Sequence, residues 1–152
     1  MDSPSDSELH FRQLESMYHS APINQTIPSC LTVSKGHAQV HFKVGETYWH
    51  SADGMHGSMY FKGLDDAAFF AANSMVEGVF VLTAKFEVEL VSVVTCENLK
   101  AVGYFDRREG RKLWAHSELF NDQGQLVARG KGLFIVSDIE LAAVNGYEAP
   151  AE

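Results

Sequence analysis

The chain has 152 residues, of which 45% are hydrophobic and 21% are charged. This composition is typical of one globular domain and excludes both the disordered class and two independent hydrophobic cores. The net charge of −8 argues against a general affinity for nucleic acid or for an anionic membrane, so an anionic ligand would need a local basic patch.

The first predicted element is an amphipathic helix over residues 7–21, with Ser7 as its N-cap. Its apolar side chains recur at helical spacing and comprise Leu9, Phe11, Leu14, Met17 and Tyr18. Pro22 should close this helix, and Pro28 should keep the following segment extended or turned. We expect residues 1–7, which are acidic and polar, to be a disordered N-terminus.

A strand and a long helix follow. From Gly36 onward, apolar and polar residues alternate through Val44, which predicts a half-buried strand. Residues 57–75 are rich in alanine and apolar on almost every side, which predicts a helix that must be buried.

After Gly78 the pattern is typical of strands almost to the end of the chain. The four predicted strands cover residues 79–90, 91–106, 112–120 and 125–137. Hairpin turns between the last three are predicted at Glu109-Gly110 and at Asp122-Gln123-Gly124. This order favours an α+β fold in which a curved antiparallel sheet wraps a long central helix, with an additional N-terminal helix.

The sequence also bears on the cellular compartment. It contains no run of about 18 apolar residues, and its N-terminus has no features of a signal peptide. Cys30 and Cys96 are isolated and form no CxxC motif. We therefore expect a cytoplasmic protein with reduced thiols and no contact with membranes.

The start of the long helix carries the most specific pattern. Met55-His56-Gly57-Ser58, followed by Leu64-Asp65-Asp66-Ala67, resembles the PaaI-like, 4-hydroxybenzoyl-CoA thioesterase-type family of the hotdog superfamily. In that family His-Gly-Gly opens the central helix, and a catalytic acid follows nine residues after the histidine. The resemblance extends over about residues 36–137 and implies a single hotdog domain over residues 8–152.

The resemblance implies a set of site residues. The catalytic acid would be Asp65, acting as general base or nucleophile. His50 stands where the family often has an asparagine that orients water or substrate, and Thr83 stands where relatives have a serine or threonine that holds the attacking water. Ser58 replaces the usual glycine beside the substrate. His56 is either an acid-base group or a residue that shapes the helix entry.

The chemistry supports a role for Gly57. Thioester hydrolysis needs a donor for the developing oxyanion, and the first N–H groups of a helix are free and lie at its positive end. Gly57 and Asp65 are about 12 Å apart along one helix, so they cannot both touch one carbonyl. Two central helices that run antiparallel about a two-fold axis would bring them together, which predicts an obligate homodimer. The resemblance implies the same arrangement, often doubled to a homotetramer.

Other polar residues have simpler interpretations. Asp66 lies about 100° around the helix from Asp65, so we expect the two on different faces, with Asp66 in a surface ion pair with Lys62. Asn73 and Ser74 should cap the end of the helix. A basic cluster, either a solvated turn or a contact for the phosphates of coenzyme A, comprises Arg107, Arg108, Arg111 and Lys112.

The favoured function is an acyl-CoA thioesterase that releases a free acid and CoA. It would need no metal and no cofactor, because CoA is part of the substrate. One alternative is a non-catalytic acyl-CoA-binding or regulatory module, against which the acid at Asp65 argues. Another is a hotdog hydratase or dehydratase, whose characteristic His-Phe-Pro is absent. The acyl group stays open, as does the choice between CoA and acyl carrier protein.

Overall fold

A computed structural model describes residues 5–151 of the chain. Its first helix, α1, spans Asp6–Ser20, and the hydroxyl of Ser5 caps it by accepting the Glu8 N–H. The predicted cap at Ser7 is therefore wrong, because Ser5 places two acids in the positively charged first turn. The predicted disordered segment is helical from Asp6, and its residues 1–4 lie outside the described part of the chain.

Pro22 does not lead into an irregular segment. It occupies the first turn of a short second helix, α2 (Pro22–Thr26). Backbone N–H groups in a first turn have no acceptor within the helix, so the N–H that proline lacks costs no hydrogen bond there. The chain turns between the two helices at Ala21, whose N–H donates to the Tyr18 carbonyl. Together α1 and α2 form a corner that becomes important at the candidate site.

A strand that the sequence analysis missed follows this corner. β1 (Ser29–Ser34) pairs in an antiparallel hairpin with β2 (His37–Lys43). Only Leu31 and Val33 of β1 are buried, and two apolar residues are too few to predict a strand by alternation alone. Residues 29–34 form a strand because their backbone groups pair with those of β2.

The long buried helix, α3, spans Gly57–Asn73, and four strands follow it. They are β3 (Val79–Leu90), β4 (Asn98–Glu109), β5 (Lys112–Phe120) and β6 (Leu126–Glu140). Two of the predicted strands, residues 79–90 and 112–120, have the observed bounds. The predicted strand that began at residue 91 begins at Asn98 instead, because residues 91–97 form a loop.

All six strands form one antiparallel sheet in the order β1-β2-β4-β5-β6-β3, and α3 packs against it. The alanines of α3 allow this close packing: Ala67, Ala68, Ala71 and Ala72 are fully buried. On the facing strand, a Cβ at Gly103 would lie 2.1 Å from the Ala67 carbonyl oxygen. The α+β hotdog fold is confirmed. The core extends beyond residues 36–137, since Leu14 of α1 and Leu141 are also fully buried.

The end of α3 is a hub of buried polar contacts. The helix ends at Asn73, slightly before the predicted residue 75. The Asn73 amide donates to the carbonyls of Val76 and Val79, and its oxygen accepts the Val81 N–H. The Ser74 hydroxyl donates to the Ala71 carbonyl. Asn73 therefore fastens the end of the helix to β3, and Ser74 caps the last turn of the helix, as predicted for both residues.

The two edges of the sheet differ. Side chains of α1 bind the outer backbone groups of β1: Arg12 donates to the Val33 carbonyl, Glu15 accepts the Val33 N–H, and His19 accepts the Leu31 N–H. The other edge, β3, pairs only with β6 among the described residues. No helix within residues 5–151 has the length and apolar character needed to cross a membrane.

Candidate functional site

Asp65 and Thr83 meet where the middle of α3 crosses β3. The Thr83 hydroxyl donates a hydrogen bond of 2.9 Å to Oδ1 of Asp65. The Asn73 side chain joins the end of α3 to β3. The pairing of β3 with β6, in which Thr83 lies opposite Phe134, fixes the position of Thr83 along the strand. The structure thus brings together two of the residues that the sequence analysis singled out.

The surroundings of Asp65 favour its protonated form. Burial raises the pKa of the Asp65 carboxyl to about 6, and the charge of Asp66 adds to this effect. The hydrogen bond from Thr83 and the charge of Lys62 oppose it. A carboxyl with this pKa is ionised at neutral pH and is still basic enough to accept a proton from water.

Asp65 and Thr83 lie in a cavity of about 470 Å³. The cavity is enclosed by α3, the start of β3 and the α1–α2 corner. Its apolar lining includes Met17, Ile23, Phe69, Phe70, Phe80 and Leu82. Met17 and Leu82 were predicted only as parts of the apolar stripe of the N-terminal helix and of the strand over residues 79–90, and Ile23 lay in no predicted element.

Asp66 corrects one expectation. Although it lies about 100° around the helix from Asp65, both aspartates line the same cavity. The predicted pair with Lys62 is present, with Nζ 2.6 Å from Oδ2, but it is not a surface pair because the Lys62 side chain is only 9% exposed. The Tyr18 hydroxyl also donates to Asp66, which ties α1 to α3. The N-terminal helix covers this face of α3.

The N-terminus of α3 lies at a second, smaller cavity of about 260 Å³. Gly57 is the first residue of the helix, and no acceptor among the described residues takes its N–H. His56 is the N-cap: its Nδ1 accepts the Ser58 N–H at 3.1 Å and lies 2.7 Å from the Ser58 hydroxyl. His56 and Ser58 therefore hold each other at the helix entry, and Gly57 remains open to a ligand.

His50 lines this smaller cavity together with Gly57. Its Nδ1 accepts the Ala52 N–H at 3.1 Å, which leaves Nε2 as the protonated ring nitrogen of the neutral side chain. The loop opposite is held by Tyr60, whose hydroxyl donates to the Ser92 carbonyl and accepts the Val94 N–H. His50 and Gly57 thus line one cavity, while Asp65 lines the other.

The basic cluster lies on the hairpin between β4 and β5, and its side chains make local contacts. Arg107 stacks on the Trp114 ring at 3.6 Å and pairs with Glu109. Arg108 donates to the Gly110 carbonyl, and Arg111 donates to the Val136 carbonyl and pairs with Asp138. Lys112 is exposed. These contacts are those of a solvated turn, and neither cavity is lined by the cluster.

The free edge of β3 carries large exposed apolar side chains as well as the exposed charged residues Lys85, Glu87 and Glu89. Leu82 and Leu90 of this strand are 47% and 55% exposed, and Phe61 of α3 beside it is 42% exposed. Phe61 packs edge-to-face against Phe86 of the same strand, with ring centroids 5.3 Å apart. An exposed strand edge flanked by large apolar side chains is a surface that pairs readily with another strand.

Within residues 5–151, no group of three or more His, Cys, Asp and Glu side chains has a geometry that could hold a metal ion. The polar groups at the two cavities include the carboxylates of Asp65 and Asp66, the Thr83 hydroxyl, the His50 imidazole and the Gly57 backbone.

Solved structures share this fold. The PaaI protein from the phenylacetic acid degradation operon of E. coli superposes with a TM-score of 0.77 over 87% of this chain and 98% of its own, at 18% sequence identity. A phenylacetic acid degradation-related protein from Ralstonia eutropha gives a TM-score of 0.72 over 82% of this chain and 99% of its own, at 17% identity. A thioesterase family protein from Silicibacter pomeroyi gives a TM-score of 0.72 over 82% of this chain and 97% of its own, at 18% sequence identity.

No protein-family model and no curated protein sequence matches the chain. At these identities the structural similarities establish the fold, and nothing finer. The fold is the one that PaaI and thioesterase family proteins share.

Proposed function

We propose that this protein is an acyl-CoA thioesterase. The observation that carries the proposal is the hydrogen-bonded pair of Asp65 and Thr83 in an apolar cavity, with the pKa of Asp65 raised to about 6. An apolar cavity suits an acyl group, and a basic carboxylate at its wall suits the activation of water. Among the solved structures with this fold, the E. coli and Ralstonia proteins are linked to phenylacetic acid degradation, and the Silicibacter protein is a thioesterase family protein.

In the proposed reaction, water adds to the thioester carbonyl while its proton passes to Asp65. The carbonyl oxygen becomes an oxyanion that accepts hydrogen bonds from the Gly57 N–H and from Nε2 of His50. Collapse of the intermediate breaks the C–S bond and releases a carboxylic acid and CoA thiol, which takes up the proton. If Asp65 attacks directly, the C–S bond breaks as a mixed anhydride forms, CoA leaves as the thiolate and takes up a proton, and water then hydrolyses the anhydride to the free acid and the Asp65 carboxylate.

One chain cannot provide this site alone. Gly57 and Asp65 are separated by about 12 Å along α3, and they line different cavities. The free edge of β3 offers the place for a second copy, because an isologous pairing of β3 with its symmetry mate would set the two α3 helices antiparallel. The β1 edge is already covered by α1. We therefore propose a homodimer with two shared sites, which can pair further into a homotetramer.

The sequence argues against a dehydratase. Dehydratases of the hotdog superfamily often carry His-Phe-Pro near the central helix, and that tripeptide is absent from this chain. A non-catalytic binding module would share the apolar cavity, so the decisive observation is turnover.

The first experiment measures free-thiol release from phenylacetyl-, hexanoyl- and palmitoyl-CoA. We expect Asp65→Asn to lower kcat by about a hundredfold or more, since the amide cannot accept the proton. Unchanged turnover in this variant would remove Asp65 from the mechanism. If no substrate turns over while ligands raise the melting temperature, the protein is a binding module.

The oxyanion donor has a matched pair of variants. Gly57→Pro removes the N–H at the first helical position, where proline is well tolerated, and His56 already has the extended backbone that precedes proline. Gly57→Ala retains the N–H, and its Cβ would lie 3.9 Å from Leu90, an ordinary contact. We expect kcat to fall by about a hundredfold in the proline variant only; equal losses in both would indicate a steric role.

A further inference from the structure

The buried ammonium of Lys62 is the unexpected group at this site. Its Nζ donates to Oδ2 of Asp66 at 2.6 Å and to the Asn24 side chain at 2.8 Å. The ring of Tyr18 lies 5.5 Å away. Lys62 thus joins the α1–α2 corner to α3 at the wall of the cavity that holds Asp65.

A buried ion pair of this kind is a weak source of stability. The loss of hydration offsets much of the Coulomb attraction, so apolar side chains of similar volume stabilise a fold equally well. The position of the pair suggests a different role. Lys62 precedes Asp65 by three residues, which places the two side chains on neighbouring positions of one helix surface.

An uncompensated ammonium at this position would weaken Asp65 as a base. An opposite charge within about 6 Å favours the carboxylate and lowers its affinity for a proton. A general base works best when its pKa lies near the operating pH. The site therefore needs a group that neutralises Lys62 without occupying Asp65 itself.

We propose that Asp66 is a positioning residue of the active site that acts through Lys62: by neutralising the buried ammonium, it leaves Asp65 free to accept a proton. The inference rests on the proposed thioesterase function, because it assigns Asp66 a role in the work of Asp65. It also explains why two adjacent aspartates line one cavity.

The charged neighbours are few. The groups that act on Asp65 are the uncharged Thr83 of β3 and the charges of Asp66 and Lys62 on its own helix. Asp66 is bound by Lys62 and by the Tyr18 hydroxyl of α1. Burial raises the pKa of Asp66, and Lys62 and Tyr18 lower it. From α2 comes only the uncharged amide of Asn24.

The test follows the titration of Asp65 directly, by NMR of aspartate carboxyl carbons, with Asp65→Asn identifying the resonance. We expect a wild-type midpoint of about 6, since burial raises the pKa of Asp65 to about that value. We expect Asp66→Asn to lower it by about one pH unit, because Lys62 then faces Asp65 alone. In the pH profile of kcat/KM for thiol release, the midpoint of the rise on the acid side should fall by the same amount.

The double variant Lys62→Met/Asp66→Asn is the matched control. It removes both charges, so the midpoint of Asp65 should return to within about half a unit of the wild-type value. A purely structural fastening role predicts the reverse: the double variant would lose stability and the midpoint would not move in Asp66→Asn. If Asp66→Asn fails to fold, the double variant can still overturn the proposal, since the midpoint of Asp65 would then have to lie far from the wild-type value.

One further result would overturn the proposed role of Asp66, and another would remove the thioesterase function without deciding that role. A loss of kcat in Asp66→Asn with an unmoved midpoint would place Asp66 in contact with substrate instead. Absence of thiol release from the wild-type protein would remove the thioesterase function, while the carboxyl titrations would still decide whether Asp66 shields Asp65 from Lys62.

Discussion

At the scale of single residues, Thr83 controls the state of Asp65 in two ways. Its hydroxyl holds one carboxylate oxygen at 2.9 Å and so fixes the orientation of the group. The same bond lowers the pKa of Asp65 against the larger effect of burial. Asp65 is therefore oriented by Thr83 and made basic by the cavity, and the proposed catalysis needs both effects.

The raised pKa of Asp65 has a consequence for stability. The folded carboxyl binds its proton more tightly than the unfolded one, with a pKa of about 6 against 3.8. The resulting stabilisation is complete below the unfolded pKa and is lost as pH rises through the folded pKa. We expect Asp65→Asn to be more stable than wild type by about 1–2 kcal/mol at pH 7, since the shift is discounted for residual contact with solvent. Below about pH 4 the two proteins should unfold at the same temperature.

Thermal unfolding of both proteins between pH 3.5 and 8 measures this difference. An Asp65→Asn variant that is less stable than wild type at pH 7 would mean that the Thr83–Asp65 contact outweighs the burial of the charge.

The sequence predicted some of these residues and not others, for physical reasons. Asp65 and Thr83 came from the spacing of a known motif, and the structure brings them together. The Lys62–Asp66 pair was predicted as a surface contact because helical spacing shows which side chains are neighbours but not what covers them. The covering side chain, Tyr18, lies 48 residues away in sequence from Asp66, and nothing local to α3 predicts that contact.

At the scale of elements, the approach of α3 to the sheet depends on Gly103 of β4. A Cβ there would lie 2.1 Å from the Ala67 carbonyl oxygen and 2.8 Å from the Ala68 nitrogen, and backbone atoms cannot move aside independently. We expect Gly103→Ala to destabilise the fold by about 3 kcal/mol or more, because the helix and the sheet must separate to admit the methyl group.

Chemical denaturation measures this loss. Gly45→Ala is the control, since its Cβ would meet nothing closer than 3.8 Å, and its stability should stay close to wild type. Comparable stability of both variants would show that α3 can shift without loss of packing.

The elements show where sequence patterns are sufficient. The strand over residues 79–90 has clear two-residue alternation, and its observed bounds agree with the prediction. β1 was missed because its short pattern becomes a strand only through β2 on one side and α1 on the other. The break at residues 91–97 was missed because the Tyr60 hydroxyl, a distant side chain, holds that loop in place.

At the scale of the whole molecule, the proposed shared sites make a quantitative prediction. Asp65→Asn and Gly57→Pro should each be inactive alone, because each removes one half of both sites. When the two are unfolded, mixed in equal amounts and refolded, half of the dimers are mixed, and each mixed dimer has one site with both an intact Gly57 and an intact Asp65. We expect thiol release to recover to about a quarter of the wild-type rate.

A mixture that stays inactive, although mass spectrometry shows mixed dimers, would mean that each site belongs to one chain. The control is a mixture of Asp65→Asn with Gly57→Ala, in which the alanine variant should provide activity without any exchange of subunits.

The unequal edges of the sheet also set how large an assembly can grow. On β1, the side chains of Arg12, Glu15 and His19 bind outward N–H and C=O groups, whereas β3 pairs only with β6 among the described residues. In the proposed homodimer, strand pairing should therefore stop at two copies, because a dimer joined through β3 would have α1 over both of its outer strands. Without these three side chains, each dimer would expose two further edges, and the same pairing that builds the site would continue from dimer to dimer into a filament. In the proposed assembly, the N-terminal helix thus prevents further strands from adding to the sheet at β1.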